Sequence, residues 1–154
     1  MEISNILKPE AVKVLAAASS KKRLLHEMGD LAHSAYGFTH GDIVEALTLR
    51  ENLGPTGVGH GVALPHARLP GITDVAGTFI LLEKSVDFES VDRQPVDIIF
   101  GLFAPEDAGV EHLKALALIS RTLRDAAICS KLRANTDAST LYTILTEARS
   151  AQAA

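Results

Sequence analysis

Between Gly54 and Gly61 the chain reads Gly-Pro-Thr-Gly-Val-Gly-His-Gly, four glycines and a proline in eight residues. No regular helix crosses such a run, because each glycine adds a backbone-entropy cost and proline removes a hydrogen-bond donor. The stretch reads as a tight loop entering the short apolar run Val62-Ala63-Leu64, with Pro65 and His66 at its exit. It separates a helical pattern before it from a strand-rich pattern after it.

Upstream, Leu24, Leu25, Met28, Leu31, Ala32 and Ala35 recur at helical spacing, with Ser20 available as a cap and Gly37 as a stop. A second helix is expected from Thr39, with Asp42 completing a capping box and Gly54-Pro55 ending it, so that Arg50 falls near its C-terminal end. Downstream, Ala76 to Leu82 and Val96 to Phe103 are strand-length runs rich in Val, Ile and Phe, the second apolar enough for a buried central strand, and a short strand or turn is expected at Val86 to Phe88. After Pro105, the residues Leu113, Leu116, Ala117, Ser120 and Leu123 outline a helix whose first turn holds Glu111 and His112. Ile128 to Leu132 and Thr140 to Ala148 read as two further helices. Helices at both ends with strands between them imply an α/β sandwich, helices around a small mixed central sheet. With 154 residues and 47% hydrophobic content, a single domain over 1–154 is expected, with 149–154 as a frayed tail.

The charge pattern excludes several functions. The net charge is −4 and the longest basic run is Lys21-Lys22-Arg23, which disfavours a nucleic-acid or membrane surface. No stretch is apolar over the ~18 residues a membrane span needs, and the N-terminus lacks the pattern of an export leader. The lone Cys129 sits in an apolar-periodic stretch and reads as a packed thiol, so a cytoplasmic, reducing setting is expected.

Six histidines are the candidate chemistry. His26, His33 and His40 fall on helices or their boundaries and read as solvated or core-edge residues. His66 differs: Pro65 restricts the backbone before it, and the glycine loop upstream can bring N–H groups close to an anion. A dinucleotide fingerprint needs strand, glycine turn, then helix, and here the order is helix, glycine run, strand; no Gly-Lys-Ser or Gly-Lys-Thr of a phosphate-binding loop occurs. His60, His66 and His112 lack the spacing of a metal site. No cofactor and no metal is expected, with a metal-dependent hydrolase built on these three histidines as the alternative that the residues leave open.

The run Arg50-Glu51-Asn52-Leu53-Gly54-Pro55-Thr56-Gly57, continued by Val58-Gly59-His60-Gly61-Val62-Ala63-Leu64-Pro65-His66, resembles the signature of enzyme IIA of the bacterial phosphotransferase system, fructose/mannitol type. Gln94-Pro95-Val96-Asp97-Ile98-Ile99-Phe100 and His112-Leu113 are similar to a second block of that family. Ile6-Leu7 and Ser20-Lys21-Lys22-Arg23 look like its nitrogen-regulatory branch. The likeness spans nearly the whole chain and departs from the family pattern at Pro55, His60 and Ala67-Arg68.

The resemblance implies a phosphoryl carrier in which His66 is the nucleophile, attacking through Nε2. The donor would be a phosphohistidine on HPr or its nitrogen-branch relative. The acceptor would be either regulatory target proteins or, in a sugar branch, a cysteine of an enzyme IIB. It also implies places for Arg50 and His112 beside His66. Arg50 offers a planar fork of donors suited to phosphate oxygens, and His112 lies in a helix first turn where an anion is favoured. A plain surface arginine at a helix end and a capping or surface histidine are the alternatives that the residues alone leave open. His60 contacts the phosphate or faces solvent.

Overall fold

The computed structural model describes residues 1–153, with side chains through Glu147. Among the described residues, five helices flank a six-stranded mixed sheet, in the order β1 (Leu7–Leu15), α1 (Lys21–Tyr36), α2 (His40–Leu53), β2 (Gly57–Gly59), β3 (Val62–Ala63), β4 (His66–Leu69), β5 (Ala76–Val86), β6 (Val96–Pro105), α3 (Val110–Leu123), α4 (Ala126–Arg133) and α5 (Ala138–Ala153). The expected α/β sandwich is therefore present. The expectation of a frayed tail falls on side chains outside the described residues.

Strand β6 is the spine of the sheet. It pairs antiparallel with β5 on one side and parallel with both β3 and β4 on the other; β1 runs parallel to β5 at one edge, and β2 pairs antiparallel with β3 at the opposite edge. All but one residue of β6 are buried, as a near-continuous apolar run requires of a strand covered on both faces. Side chains alternate across the sheet: Phe79, Leu81, Ile98 and Phe100 pack with α3, α4 and α5, while Ile80, Leu82, Ile99 and Phe103 pack with α1 and α2.

Helix α1 ends as its sequence dictates. The Ser20 hydroxyl accepts from Arg23 N–H at 3.0 Å, and Gly37 closes the C-terminus at φ 77°. Helix α2 begins after Thr39, but the Thr39 side chain makes no cap bond; the expected capping box is not formed, and Asp42 acts there only as a charge in the first turn.

Three elements depart from the sequence expectation. The chain has a strand, β1, before its first long helix; a register shift between Leu7 and Val12 breaks the alternation of buried and exposed residues, and Pro9 is tolerated because the strand lies at the sheet edge. The glycine run is not all loop. Gly57–Gly59 and Val62–Ala63 form a small hairpin whose two central residues, His60 and Gly61, have φ of 57° and 79°, the positive pair that a two-residue I′ hairpin turn requires. The buried face of α3 is also turned relative to the expected one. His112, Ala115, Leu118, Ile119, Thr122 and Leu123 point inward, and Leu113 is 64% exposed. Apolar residues occur around most of that helix, so periodicity alone does not choose the face.

Gly57 is required by close approach. A Cβ there would stand 2.7 Å from Ser90 Cβ and 3.0 Å from Ser90 Cα, a backbone atom that cannot rotate away. Gly57→Ala is expected to lower stability by about 1–3 kcal/mol, the usual cost of overpacking. Chemical denaturation curves that superimpose on wild type would refute this.

Candidate active site

Strands β3 and β4 lie on the same edge of β6, interrupted only by Leu64-Pro65. Val62 and Ala63 pair with Ile98 and Ile99, and His66 to Leu69 pair with Leu102 to Pro105. Pro65 has no N–H to give the ladder, but its carbonyl accepts from Leu102 N–H at 2.9 Å, so the chain stays docked through the interruption. His66 is thus the first residue of a strand anchored on the buried central strand of the sheet.

The cleft beside His66 has a volume of about 600 Å³ and is lined by Ala46, Leu49, Arg50, Leu53, His66, Ala67, Arg68 and His112. The three residues singled out from the sequence, His66, Arg50 and His112, are brought together here from β4, the last turn of α2 and the first turn of α3. His60 is not among the lining residues. Its N–H donates to Asp92 Oδ2 at 3.1 Å and its carbonyl accepts from Arg133 Nη2 at 2.8 Å, which fixes the hairpin turn. Arg133 in turn holds Asp97 through Nε at 2.9 Å and Nη2 at 2.9 Å.

The protonation of His66 follows from its partner. Nδ1 lies 2.8 Å from the Leu64 carbonyl oxygen, which can only accept. Nδ1 therefore carries the proton, and in the neutral ring Nε2 keeps its lone pair. The His112 ring is 5.8 Å from the His66 ring, centroid to centroid, tilted by 49°. Burial, with the charges of His66 and Arg68 as smaller contributors, holds the His112 imidazole below its ordinary pKa. Among the described residues its Nδ1 is buried without a hydrogen-bond partner. A proton on Nε2 leaves that nitrogen as a bare acceptor and avoids burying an unpaired N–H.

Two guanidinium groups face this imidazole pair. Arg50 Nη1 donates to the Gly54 carbonyl at 3.0 Å, across the turn that ends α2. Arg68 Nη1 donates to the Glu106 carbonyl at 2.9 Å and to the Ala108 carbonyl, tying β4 to the loop that leads into α3, the helix that carries His112. Arg68 is a cleft residue that the sequence motif does not single out. The available signal is strand periodicity: Arg68 is two residues after His66, so both lie on one face of β4 while Ala67 and Leu69 are buried.

The depressed His112 pKa has a thermodynamic consequence. An unfolded histidine titrates near pH 6.5, and the folded one at lower pH. The folded state therefore binds fewer protons in that window, and stability falls as pH drops from about 6.5 through the folded pKa. His112→Gln is expected to flatten this part of the stability-versus-pH curve. An unchanged slope between pH 7 and 5 would show that His112 is not its source.

The fold is shared with the nitrogen regulatory protein IIA-Ntr of Neisseria meningitidis, whose crystal structure superimposes with a TM-score of 0.85 at 38% identity over 94% of this chain and 99% of that one. It is shared also with the mannitol enzyme IIA of Escherichia coli, solved in complex with phosphorylated enzyme IIB, at a TM-score of 0.72 and 18% identity over 92% of this chain and 99% of that one. The fold is thus that of a IIA-type protein. The family described as "Phosphoenolpyruvate-dependent sugar phosphotransferase system, EIIA 2" matches residues 5–148, and the chain belongs to it. A nitrogen regulatory protein of Bradyrhizobium diazoefficiens is 46% identical over 145 residues, covering 94% of this chain and 95% of the relative.

Proposed function

We propose that His66 is the phosphoryl acceptor of this chain, that the donor is a phosphohistidine of HPr or its nitrogen-branch relative, and that the phosphorylation state is read by regulatory target proteins in the cytoplasm. The observation that carries the reading is the His66 Nδ1 bond to the Leu64 carbonyl, which leaves a fixed lone pair on Nε2 at the cleft. In the transfer, the Nε2 lone pair forms the new P–N bond as the donor's P–N bond breaks, and that electron pair returns to the donor imidazole. The protein's task is alignment and charge stabilisation. Arg50 and Arg68 supply positive charge to the phosphate oxygens, and His112 supplies a neutral N–H donor.

The rim of the cleft supports a protein rather than a small molecule as the source of the phosphoryl group. Leu53 is 84% exposed and Leu49, also on α2, is 61% exposed, and both line the cleft as an apolar border beside a polar centre. The regulatory reading draws support from relatives named nitrogen regulatory protein that match over nearly their whole length. Transfer to a cysteine of an enzyme IIB is the second reading, favoured by the shared fold of an enzyme IIA solved in complex with a phosphorylated IIB.

The test is reconstitution. Incubated with phosphoenolpyruvate, enzyme I and HPr or its homologue, the protein is expected to gain one phosphate that is acid-labile and base-stable, the lability of a phosphoramidate. No incorporation, or a phosphate stable to acid, would overturn the proposal. His112→Gln keeps a hydrogen-bond donor and is expected to transfer faster than His112→Ala. Equal rates for both variants and wild type would leave His112 a structural residue.

A further inference from the structure

The sequence motif leaves one charged group unexplained. Glu51 follows Arg50 on α2 but points the other way, inward, with its side chain only 5% exposed. Three groups meet its carboxylate. Lys21 Nζ stands 2.7 Å from Oε2, the Thr56 N–H donates to Oε2 at 3.2 Å, and the Thr56 hydroxyl donates to Oε1. Lys21 is itself held by the face of Phe88, its Nζ 4.5 Å from the ring centroid. A carboxylate removed from water to this degree is costly unless fully paired, and here both oxygens are occupied.

The network continues to the reactive imidazole. The Thr56 carbonyl accepts from Leu64 N–H at 3.0 Å, and the Leu64 carbonyl accepts from His66 Nδ1 at 2.8 Å. The same peptide segment that Glu51 grips thus sets, two hydrogen bonds later, the acceptor that decides which nitrogen of His66 is free. The route crosses the base of the glycine hairpin, whose residues have few side chains of their own to hold them; the far end of the hairpin is fixed separately by Arg133 and Asp92.

We infer that Glu51 is a positioning residue: through Thr56 and Leu64 it fixes the Nδ1–H form of His66 and so keeps Nε2 available as nucleophile. The inference rests on the reading of His66 as phosphoryl acceptor. Glu51 does not line the cleft and touches no transferring group. Its effect is on the tautomer and orientation of another side chain, as a supporting residue behind a catalytic group commonly is.

The test pairs a spectroscopic readout with a rate. In protein labelled with ¹⁵N at histidine, the ring nitrogens of His66 report the tautomer directly. Wild type is expected to show Nδ1 protonated and Nε2 bare. Glu51→Ala is expected to lower the ratio of Nδ1–H to Nε2–H by about tenfold, the worth of roughly one hydrogen bond, and to slow phosphoryl transfer from phospho-HPr by a similar factor. Because Glu51→Ala leaves Lys21 without its partner and can unfold the chain, Thr56→Val serves as the second variant. It keeps the volume and the backbone N–H and removes only the hydroxyl. A shift of roughly threefold in both readouts is expected, with Thr56→Ser restoring wild-type values.

Wild-type tautomer and rate in folded Glu51→Ala and Thr56→Val proteins would overturn the positioning role while leaving the acceptor role intact. Failure of wild type itself to take phosphate on His66 would overturn the acceptor role, and the positioning role in transfer with it.

Discussion

His66→Ala is expected to take up no phosphate at all from phosphoenolpyruvate, enzyme I and HPr, while its far-ultraviolet spectrum and unfolding midpoint stay close to wild type. The loss is total because phosphoryl transfer through a covalent intermediate needs a nucleophilic atom, and no neighbouring group can replace it. His112, the nearest imidazole, sits 5.8 Å away between ring centroids and is buried. The fold is spared because His66 contributes to β4 through its backbone pairing with Leu102, which alanine reproduces, and its ring is only half-buried. Peptide mapping of the wild-type phosphoprotein should place the label on the His66 fragment. Undiminished labelling of folded His66→Ala protein, or a label mapped elsewhere, would end the assignment. His66→Asp and His66→Glu carry a permanent negative charge at the same place and should shift partner binding towards that of the phosphorylated protein.

Arg50→Ala is expected to slow transfer by about 10²–10³-fold, the usual cost of removing a preorganised donor from a developing anion. Arg50 also holds the Gly54 carbonyl at 3.0 Å, so the variant loses stability by about 1 kcal/mol as well. The two effects are separable: rapid-quench rates report the first and denaturant midpoints the second. Arg50→Lys should recover only part of the rate, because a single ammonium cannot hold the Gly54 carbonyl and two phosphate oxygens in one plane. Transfer at wild-type speed in both variants would reduce Arg50 to a helix-terminating residue.

Much of this was legible in the chain itself, for reasons that differ by element. Helix α1 was readable because Ser20, a single apolar stripe and Gly37 agree on its limits. Strand β6 was readable because burial on both faces makes its sequence apolar throughout. Strand β1 was not, since its bulge destroys the alternation that identifies a half-buried strand, and Pro9 argues against one. The orientation of α3 was hidden by apolar residues on more than one side, and with it the burial of His112.

In the site, the positions of His66, Arg50 and His112 were reachable from the motif, whereas the residues that support them were not. Glu51 looks like an ordinary surface acid beside Arg50, and its partner Lys21 lies thirty residues upstream on another helix. Pairing across helices leaves no local trace in sequence. Arg68 was open to strand periodicity once β4 was known, but a four-residue strand directly after Pro65 carries too little pattern to be recognised first.

The docking of β4 on β6 has a bearing on how this chain conveys information. A reactive side chain on a flexible loop lets its modification be broadcast as a change of shape. Here the backbone of His66 is laced to the innermost strand on one side of an interruption only two residues long, and the hairpin before it is fastened at both ends. Any displacement of that backbone would have to break the sheet. On the acceptor role proposed for His66, a phosphate there would register as about two units of negative charge at an otherwise unaltered surface, a stamp rather than a lever. Whatever read it would have to press against the cleft itself, so reader and donor would compete for the same ground and could not occupy the protein together.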